Sequence, residues 1–284
     1  MSLAQGAGGG SDRRHSNAAS RSELGFFGGG ASYLGDVNPF NPFREIGAAV
    51  GLIYKYNLNS RFAVRANLNY LRVNASDHNS KEAFLRNRNL NFRNDIFEVG
   101  AGIEMNFLKY RPKDFRTKAQ RVYTRRGFPF SPYMFIQLAY FHHNPKGLYN
   151  GKYIKLRNLG TEGQGLEGFD DRYILTQLSI PMGIGYKFNI WKSFGGAIEW
   201  GLRKTYTDYL DDVSGDYVDA NTLEFGNGPL SQILADRSLE PLGPDGTNNG
   251  MQRGETNRKD WYIFTGVMLT YKIGKPRVKC PSTY

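Results

Sequence analysis

Two adjacent histidines and a serine are the side chains of this sequence that most directly suggest enzyme chemistry. His142 and His143 end one extended segment, and Ser179 lies in another. A lipid hydrolase or acyltransferase needs a nucleophile, a base and a group that orients the base. Adjacent strand residues point to opposite faces, so at most one of the two histidines faces such a site. Nothing in the sequence places a histidine, a serine and an acid together. We expect no catalytic residues, and a lipid-modifying barrel enzyme is the alternative.

A group of aspartates has the oxygen-rich character of a metal site. Its members are Asp208, Asp211, Asp212, Asp216 and Asp219. Oxygen-rich loops bind calcium, but this spacing does not match an EF-hand. The simpler interpretation is that these residues form turns, cap strand ends and pair with Arg203 or Lys204. We therefore expect no metal and no cofactor, with calcium as the alternative for this loop.

The composition restricts the class of protein only loosely. Hydrophobic residues make up 40% of the 284, and the mean hydropathy is −0.52, as in many soluble proteins. No run of about 18 apolar residues occurs, so any membrane-spanning segment must be a strand. Glycine (34 residues) and aromatic residues (14%) are abundant, which suits close strand approach and lipid interfaces. The single Cys280 excludes an internal disulfide framework.

Strict alternation of apolar and polar residues identifies the elements that must position any site. In residues 62–70 every second residue from Phe62 to Tyr70 is apolar or aromatic, and these residues share one face of the strand. Arg65, Asn67 and Asn69 lie on the opposite face. Residues 97–107 repeat the pattern, with Glu98 and Glu104 on the small-residue face. A long strand that is apolar on one face and charged on the other is typical of a transmembrane β-barrel.

The fold class predicted is all-β: a closed up-and-down antiparallel transmembrane β-barrel of about eight strands with a filled interior. We place the strands near 24–33, 45–57, 61–74, 93–109, 132–143, 173–189, 194–206 and 260–273. The tight turns at 57–60 and 189–193 follow the second and sixth strands, where periplasmic turns belong. The long polar connections 75–92, 144–172 and 207–259 then lie outside the cell.

The inward positions of these strands carry charges of both signs. They are Glu45, Lys55, Arg65, Glu98, Glu104, Lys187, Glu199, Arg203 and Lys272. An eight-stranded barrel has room inside only for side chains, so buried charges must pair to offset their desolvation. We expect a structural charge network that fills the barrel. Pro181 lacks an amide donor and predicts a bulge or a local break in pairing.

A soluble lipocalin-like carrier is the third class of function, and it requires an apolar interior. Here the apolar and aromatic residues occupy the face opposite the glutamates. We expect an aromatic girdle near the strand ends, formed by Tyr54, Tyr56, Tyr186, Trp200, Trp261 and Tyr271. That pattern favours the membrane over a carrier, because it places the apolar face outside.

One connection on the side of the tight turns is long and basic. Residues 109–126 hold eight basic residues and one acid, Asp114, within a chain of net charge +11. The segment is either a solvated loop that touches lipid phosphates or a docking surface for an acidic periplasmic partner. No recognition helix or RNA-binding motif accompanies it, so we expect no nucleic acid. The candidate partner-binding residues are Arg111, Lys113, Arg116, Lys118, Arg121, Arg125 and Arg126.

Three blocks of the sequence resemble a known family. They are Glu23 to Pro39 (ELGFFGGGASYLGDVNP), Leu178 to Phe188 (LSIPMGIGYKF) and Thr207 to Tyr217 (TDYLDDVSGDY), and the closing residues 275–281 are similar as well. These blocks resemble the PorG-like outer-membrane barrels of Bacteroidetes. The resemblance implies a component of the gliding-linked type IX secretion system, associated on its periplasmic side with ring subunits of the PorK and PorN kind. It implies no catalytic motif and no small-molecule substrate.

Together these observations predict one barrel domain in the cell outer membrane. We expect a flexible N-terminal segment at 1–22, the barrel at 23–273 and a periplasmic C-terminal tail at 274–284. Residues 1–10 lack the basic start and apolar core of a secretory signal. Export therefore implies a signal peptide upstream of the given start.

Overall fold

Eight long strands pair as one antiparallel ring. A computed structural model describes residues 21–39, 45–110, 128–191 and 193–273. The ring strands are β1 (Ser22–Leu34), β2 (Gly47–Asn57), β3 (Phe62–Ser76), β4 (Asn91–Asn106), β5 (Phe130–His142), β8 (Thr176–Trp191), β9 (Phe194–Thr205) and β10 (Trp261–Ile273). Each of the eight lies on a segment that the alternation predicts, with ends shifted by a few residues.

The ring closes between its first and last strands. β1 pairs with β10 over its whole length, from Ser22 opposite Ile273 to Leu34 opposite Trp261, and on its other edge with β2. β3 pairs with β4, and the order β3-β2-β1-β10-β9-β8-β5-β4 then returns to β3. The prediction of an all-β, closed, eight-stranded antiparallel barrel is therefore confirmed.

Short turns and long loops lie at opposite ends of the barrel. Residues 57–62 form a tight turn in which the amide of Leu58 donates to the carbonyl of Phe62 (3.0 Å). The long connections fold into a cap over the other end. The cap elements are a 3₁₀ helix (Asp77–Asn79), α1 (Ala83–Arg88), the hairpin of β6 (Pro145–Tyr149) and β7 (Lys152–Lys155), α2 (Ala220–Asn227) and α3 (Pro229–Ala235).

The outer surface of the barrel is apolar. In β5 exposed and buried residues alternate without interruption from Phe130 to His142. Large apolar side chains stay open on the outside, among them Leu68 (56% exposed), Val99 (58%) and Ile136 (57%). This arrangement is the reverse of a ligand carrier, whose apolar residues line the interior. No helix in the described parts of the chain is long and apolar enough to cross a membrane.

Aromatic side chains collect near the end with the short turns. Tyr54, Tyr56, Tyr186 and Tyr271 are exposed there, as the girdle predicts. Trp200 differs, because it lies in the middle of β9, opposite Ile184 of β8. Its exposed position follows from strand parity rather than from an interfacial role.

Pro181 interrupts the ladder between β5 and β8. Pairing runs from Phe130 to Ile136 and resumes at Ala139 opposite Ser179 in the same register, so a local break occurs and not a bulge. On its other side Pro181 is paired with Arg203 of β9. The break fits a residue that has no amide hydrogen to donate.

The hydrophobic core runs from the barrel interior into the cap. Buried apolar side chains from the strands, including Tyr33, Leu71 and Ile96, form one cluster with Leu210 and Leu234 from the longest loop. Because this cluster joins strands to loops, the cap is part of the folded core. The predicted terminal segments 1–22 and 274–284 lie outside the described residues, apart from Arg21 and Ser22.

Candidate functional site

Glu104 is the centre of an ion-pair network inside the barrel, toward the end with the short turns. Its carboxylate is fully buried and lies 2.7 Å from the Nζ of Lys55 and 2.5 Å from the Nζ of Lys187. Arg65 approaches it at 3.7 Å. The three cations come from β2, β8 and β3, so a single acid of β4 joins four strands across the lumen.

A second carboxylate completes this network. Glu199 accepts two hydrogen bonds from Arg65, at 2.8 and 3.0 Å, in the bidentate geometry that suits a guanidinium. The hydroxyl of Tyr133 donates to Glu199 at 2.6 Å. The Arg65 guanidinium also lies 4.1 Å from the centre of the Phe135 ring, a cation–π contact.

A third carboxylate lies nearer the cap. Glu98 receives hydrogen bonds from the hydroxyl of Tyr262 (2.7 Å) and the amide of Asn69 (2.7 Å). The Nε of Arg203 lies 3.4 Å from Glu98, and its guanidinium covers the Phe264 ring at 3.7 Å. Glu98, Glu104 and Glu199 are thus each matched by at least one cation, which offsets the cost of taking these charges out of water.

Eight of the nine predicted interior charges are buried in the barrel. They are Lys55, Arg65, Glu98, Glu104, Lys187, Glu199, Arg203 and Lys272. Lys272 lies apart from the network, where its Nζ contacts the side-chain oxygen of Asn189 at 2.7 Å.

Glu45 is the exception, and its interior placement was wrong. β2 begins at Gly47, so Glu45 lies before the strand and the alternation of inward and outward residues does not apply to it. Its carboxylate instead accepts hydrogen bonds from Asn74 and Asn79 at the rim of the barrel. The prediction also missed Tyr133 and Tyr262, although both occupy inward positions of their strands and the alternation would have found them.

The cap is held by a tyrosine that bridges two aspartates. The hydroxyl of Tyr33 lies 2.6 Å from Asp211 and 2.6 Å from Asp260, and it accepts the amide of Asp36 at 2.9 Å. A hydroxyl has one proton to donate. One of the two carboxyls must therefore carry a proton and donate to the tyrosine oxygen. Burial raises the pKa of both Asp211 and Asp260, which agrees with a shared proton.

Two further carboxyls of the cap are also buried. Asp212 accepts hydrogen bonds from Thr161 (2.5 Å) and Tyr173 (2.7 Å), and burial raises its pKa to about 6. Asp208 accepts from the hydroxyl of Ser214 at 2.7 Å, and burial raises its pKa to about 6 as well. These aspartates hold loops together through hydroxyl donors.

Two buried arginines join the separate loops of the cap. Arg88 contacts Asp77 (2.7 Å) and donates to the backbone oxygens of Arg253 (2.7 Å) and Asp36 (3.0 Å). Arg253 donates to Glu162 and to the backbone oxygen of Asp212, both at 2.6 Å. Each guanidinium therefore fixes three segments that are far apart in sequence.

The expected partners of the aspartate group were wrong. Arg203 points into the barrel, where it contacts Glu98, and Lys204 lies 6.0 Å from the Trp261 ring. Asp219 does cap an element, because it accepts the amide of Thr222 at the start of α2 (2.9 Å). Within the described residues no three His, Cys, Asp or Glu side chains are grouped so as to hold a metal ion.

The two histidines lie on opposite faces of the barrel wall. His142 is exposed and its Nδ1 lies 3.1 Å from the hydroxyl of Thr176. His143 is buried with Asn94 at 3.3 Å, and its ring stacks on Tyr173. Ser179 is buried on β8. His143 contacts the side-chain amide of Asn94 and the rings of Phe141 and Tyr173, and none of these groups is an acid that could orient it.

The seven candidate partner-binding residues all lie outside the described residues. They fall between Tyr110 and Phe128, the described residues on either side of this segment: Arg111, Lys113, Arg116, Lys118, Arg121, Arg125 and Arg126. The flanking residues Lys109 and Phe128 are joined by a backbone hydrogen bond of 2.9 Å. Lys109 and Phe128, which border the segment, therefore lie next to each other on the end with the short turns.

A family model described as a domain of unknown function, DUF6089, matches residues 13–231 of this chain. No curated protein matches it. Among solved structures, the chain is similar to Neisserial surface protein A, with 9% identity, a TM-score of 0.40 and coverage of 89% of this chain and 98% of the other. It is similar to Ail, the attachment invasion locus protein of Yersinia pestis (9% identity, TM-score 0.37, coverage 88% and 96%). It is also similar to the outer membrane protein OprG of Pseudomonas aeruginosa (8%, 0.34, 90% and 99%). At these identities and TM-scores the likenesses are too distant to transfer a function.

Proposed function

We propose that this chain, which belongs to the DUF6089 family of unknown function, is a sealed outer-membrane barrel that anchors other proteins and performs no catalysis. The observation that carries the proposal is the ion-pair network around Glu104 and Glu199. Charged side chains from five of the eight strands meet inside the barrel, where a pore would need open water. A barrel that is filled in this way serves as a fixed membrane element.

The membrane placement is supported by the outer surface. Exposed apolar side chains surround the strands, and exposed tyrosines lie near the end with the short turns. Closed barrels satisfy all their backbone hydrogen bonds internally, which is the condition for crossing lipid. With short turns in the periplasm and the cap outside, Lys109 and Phe128, which border the basic segment, lie on the periplasmic side.

The finer part of the proposal names the partner. The blocks at 23–39, 178–188 and 207–217 support a role in type IX protein secretion through their resemblance to PorG-like barrels. In this role the barrel contacts PorK/PorN-like periplasmic ring subunits. The basic segment 109–126 and the tail 274–284 supply the contact, because they emerge on the periplasmic side and the segment carries a dense positive charge.

The test is an affinity pull-down of the tagged chain from crosslinked cell envelopes, analysed by mass spectrometry. The variant reverses five charges of the basic segment to glutamate: Arg116, Lys118, Arg121, Arg125 and Arg126. The matched control reverses five cations of the cap side: Lys81, Arg86, Lys152, Arg258 and Lys259. We expect ring subunits to be captured by the parent and the control, and lost from the first variant.

The outcomes separate the two levels of the proposal. Equal capture of ring subunits by both variants contradicts the role of the basic segment. A membrane-inserted barrel that captures no ring subunits contradicts the secretion role and leaves the membrane placement intact. Recovery of the parent chain in the soluble fraction without detergent contradicts the membrane placement itself.

A further inference from the structure

A cluster of cations lies on the outer face of the barrel wall, just below the cap. Arg72 of β3 and Arg93 of β4 point outward, because their neighbours Leu71, Val73 and Phe92 are buried inside. The sheet extends here through the hairpin β6–β7, where Arg93 is paired with Lys146 and Lys146 with Lys155. Residues directly opposite in a sheet share a face. We call Arg72, Arg93, Lys146 and Lys155 the outer basic patch.

One carboxylate organises this patch. Asp95 lies 2.8 Å from the Nε of Arg72, 2.9 Å from the Nζ of Lys146 and 3.6 Å from Arg93. The three cations remain about a third exposed, while Asp95 is more buried. Four cations against one acid leave an excess of three positive charges on the patch. Glu45 adjoins the patch, because it accepts a hydrogen bond from Asn74, which is paired with Arg93, and counting its charge lowers the excess to two.

The patch directly adjoins the apolar band. The hydroxyl of Tyr70 donates to Asp95 (2.7 Å), and the Tyr70 ring packs on Phe97 at 5.2 Å. Phe97 is 56% exposed, and Val99 follows it on the same outward face. Along one strand the surface therefore changes from apolar side chains to cations within four residues. In a bilayer this is the depth at which acyl chains end and headgroups begin.

We propose that the outer basic patch binds the phosphate of an outer-leaflet lipid headgroup whose acyl chains lie on Phe97 and Val99. Guanidinium groups recognise phosphate oxygens with two parallel hydrogen bonds, and lysines add point charge. Asp95 and the Tyr70 hydroxyl hold Arg72 through its Nε and Nη2, and the three cations that contact Asp95 keep 27–35% of their side chains exposed. The aromatic pair beneath supplies a wall for the chains.

The location of the patch identifies a lipid as the occupant. A soluble anion needs only the cations, but this patch continues without a break into a surface that faces lipid. Arg93 also lies over the Tyr153 ring at 5.0 Å, which keeps the side chain along the barrel wall. The inference rests on the membrane placement proposed above and does not depend on the secretion role.

The experiment measures lipid retention on the full chain, purified in detergent, by native mass spectrometry. The probes are phosphatidylglycerol, a diacylglycerol with the same acyl chains, and inorganic phosphate. The test variant is the double Arg93→Gln, Lys146→Gln. The matched control removes two exposed cations elsewhere on the cap, Lys81→Gln with Arg258→Gln. Lys155→Gln alone is the second test variant, for use where the double variant fails to fold.

We expect the parent to retain phosphatidylglycerol and not the diacylglycerol. A cation near a charged lipid surface contributes roughly fivefold to affinity. Retention should therefore fall about 25-fold in the double variant, about fivefold in Lys155→Gln and little in the control.

Equal retention of both lipids, or equal loss in test and control variants, would overturn the site. If inorganic phosphate at the same concentration displaces phosphatidylglycerol, the outer basic patch is a site for free anions and not for a lipid. Failure of the chain to enter bilayers at all is the separate outcome that removes the membrane placement.

Discussion

At the scale of single residues, Glu104 is the most consequential side chain of the barrel interior. It neutralises Lys55 and Lys187 directly and Arg65 at a longer distance, with all four side chains buried. Breaking a buried pair leaves an uncompensated charge in a medium that solvates it poorly. We predict that Glu104→Gln lowers the free energy of unfolding by roughly 3–5 kcal/mol.

Urea unfolding of the chain in detergent, followed by the change in gel mobility of unheated samples, measures this loss. Glu224→Gln is the control, because Glu224 is an exposed residue of α2. Removing Lys187 as well, in Glu104→Gln with Lys187→Met, should recover part of the stability, since fewer cations are then left unpaired. A single variant as stable as the parent would show that Glu104 does not balance these cations.

The buried aspartates of the cap predict a dependence on pH. The pKa of Asp208 and of Asp212 is raised to about 6 in the folded cap, above the ordinary value near 4. A carboxyl whose pKa is raised by folding stabilises the folded state when protonated. This stabilisation is complete below about pH 4 and is lost as the pH rises through about 6. Each carboxyl contributes about tenfold over this range, so we predict that an opening that frees both occurs about a hundredfold more often at neutral pH than near pH 5.

Limited proteolysis of the cap at the two pH values measures this difference, normalised to cleavage of the unfolded chain at each pH. The neighbouring charges are Lys259, Asp36 and Glu162 near Asp208, and Arg253 and Glu162 near Asp212. They oppose each other in sign and do not cancel the effect of burial. The double variant Asp208→Asn, Asp212→Asn should show a weaker pH dependence between pH 5 and 7, and what remains comes from the Asp211 and Asp260 pair. A parent cap that is more resistant at neutral pH would contradict the sign of the prediction.

At the scale of elements, the strands were predictable and the cap was not. Alternation reveals each strand because one face is apolar and exposed and the other lines the interior, as in Phe62 to Tyr70. The same parity predicted the inward charges. The prediction for Glu45 was wrong only because β2 begins two residues after it. The cap depends on contacts between distant loops, such as Tyr33 with Asp211 and Asp260, which no local pattern encodes.

The outer basic patch, like the cap, could not be predicted from the sequence. Arg72 and Arg93 lie on strands that the alternation locates, and their outward parity is readable. Lys146 and Lys155 join them only through the hairpin β6–β7, which pairs with the upper end of β4. The sequence places this hairpin in a long polar connection. A patch that is assembled from three separate segments therefore required the structure.

The seam between β1 and β10 requires two glycines. Gly29 and Gly266 are paired across it. A Cβ at Gly29 would lie 2.1 Å from the carbonyl oxygen of Thr265, and a Cβ at Gly266 would lie 2.4 Å from that of Gly28. Both atoms belong to the backbone of the partner strand and can move only if the strands separate. We predict that Gly29→Ala costs at least the roughly 1–3 kcal/mol typical of overpacking and slows closure of the barrel.

Refolding from urea into detergent, followed by gel mobility without heating, measures this cost. Gly28→Ala is the matched control on the adjacent residue, because its Cβ would meet only the Phe26 side chain at 3.7 Å. A normal yield for the control with a reduced yield for Gly29→Ala supports the seam. Equal yields would mean that the strands have room to separate at this point.

At the scale of the whole molecule, the sealed interior determines what the barrel can transmit. Lys55, Arg65 and Lys187 meet Glu104 and Glu199 across the lumen, and the cap packs its own apolar residues over the far end. Ions would have to pass through paired charges and then through a hydrophobic cluster. We therefore predict that the full chain in a planar lipid bilayer shows no steady conductance, whereas an open porin measured in the same bilayers does.

The variant Glu104→Gln distinguishes a filled lumen from a chain that simply fails to insert. It leaves the three cations without their common acid, so mutual repulsion should loosen the interior and produce brief, anion-preferring openings. The parent and Glu224→Gln should remain closed in bilayers where protease protection confirms insertion. Steady conductance in the parent would mean that the ion pairs exchange with water on the timescale of ion passage. An anchor could then also be a channel, and the function proposed here would have to include transport of small ions.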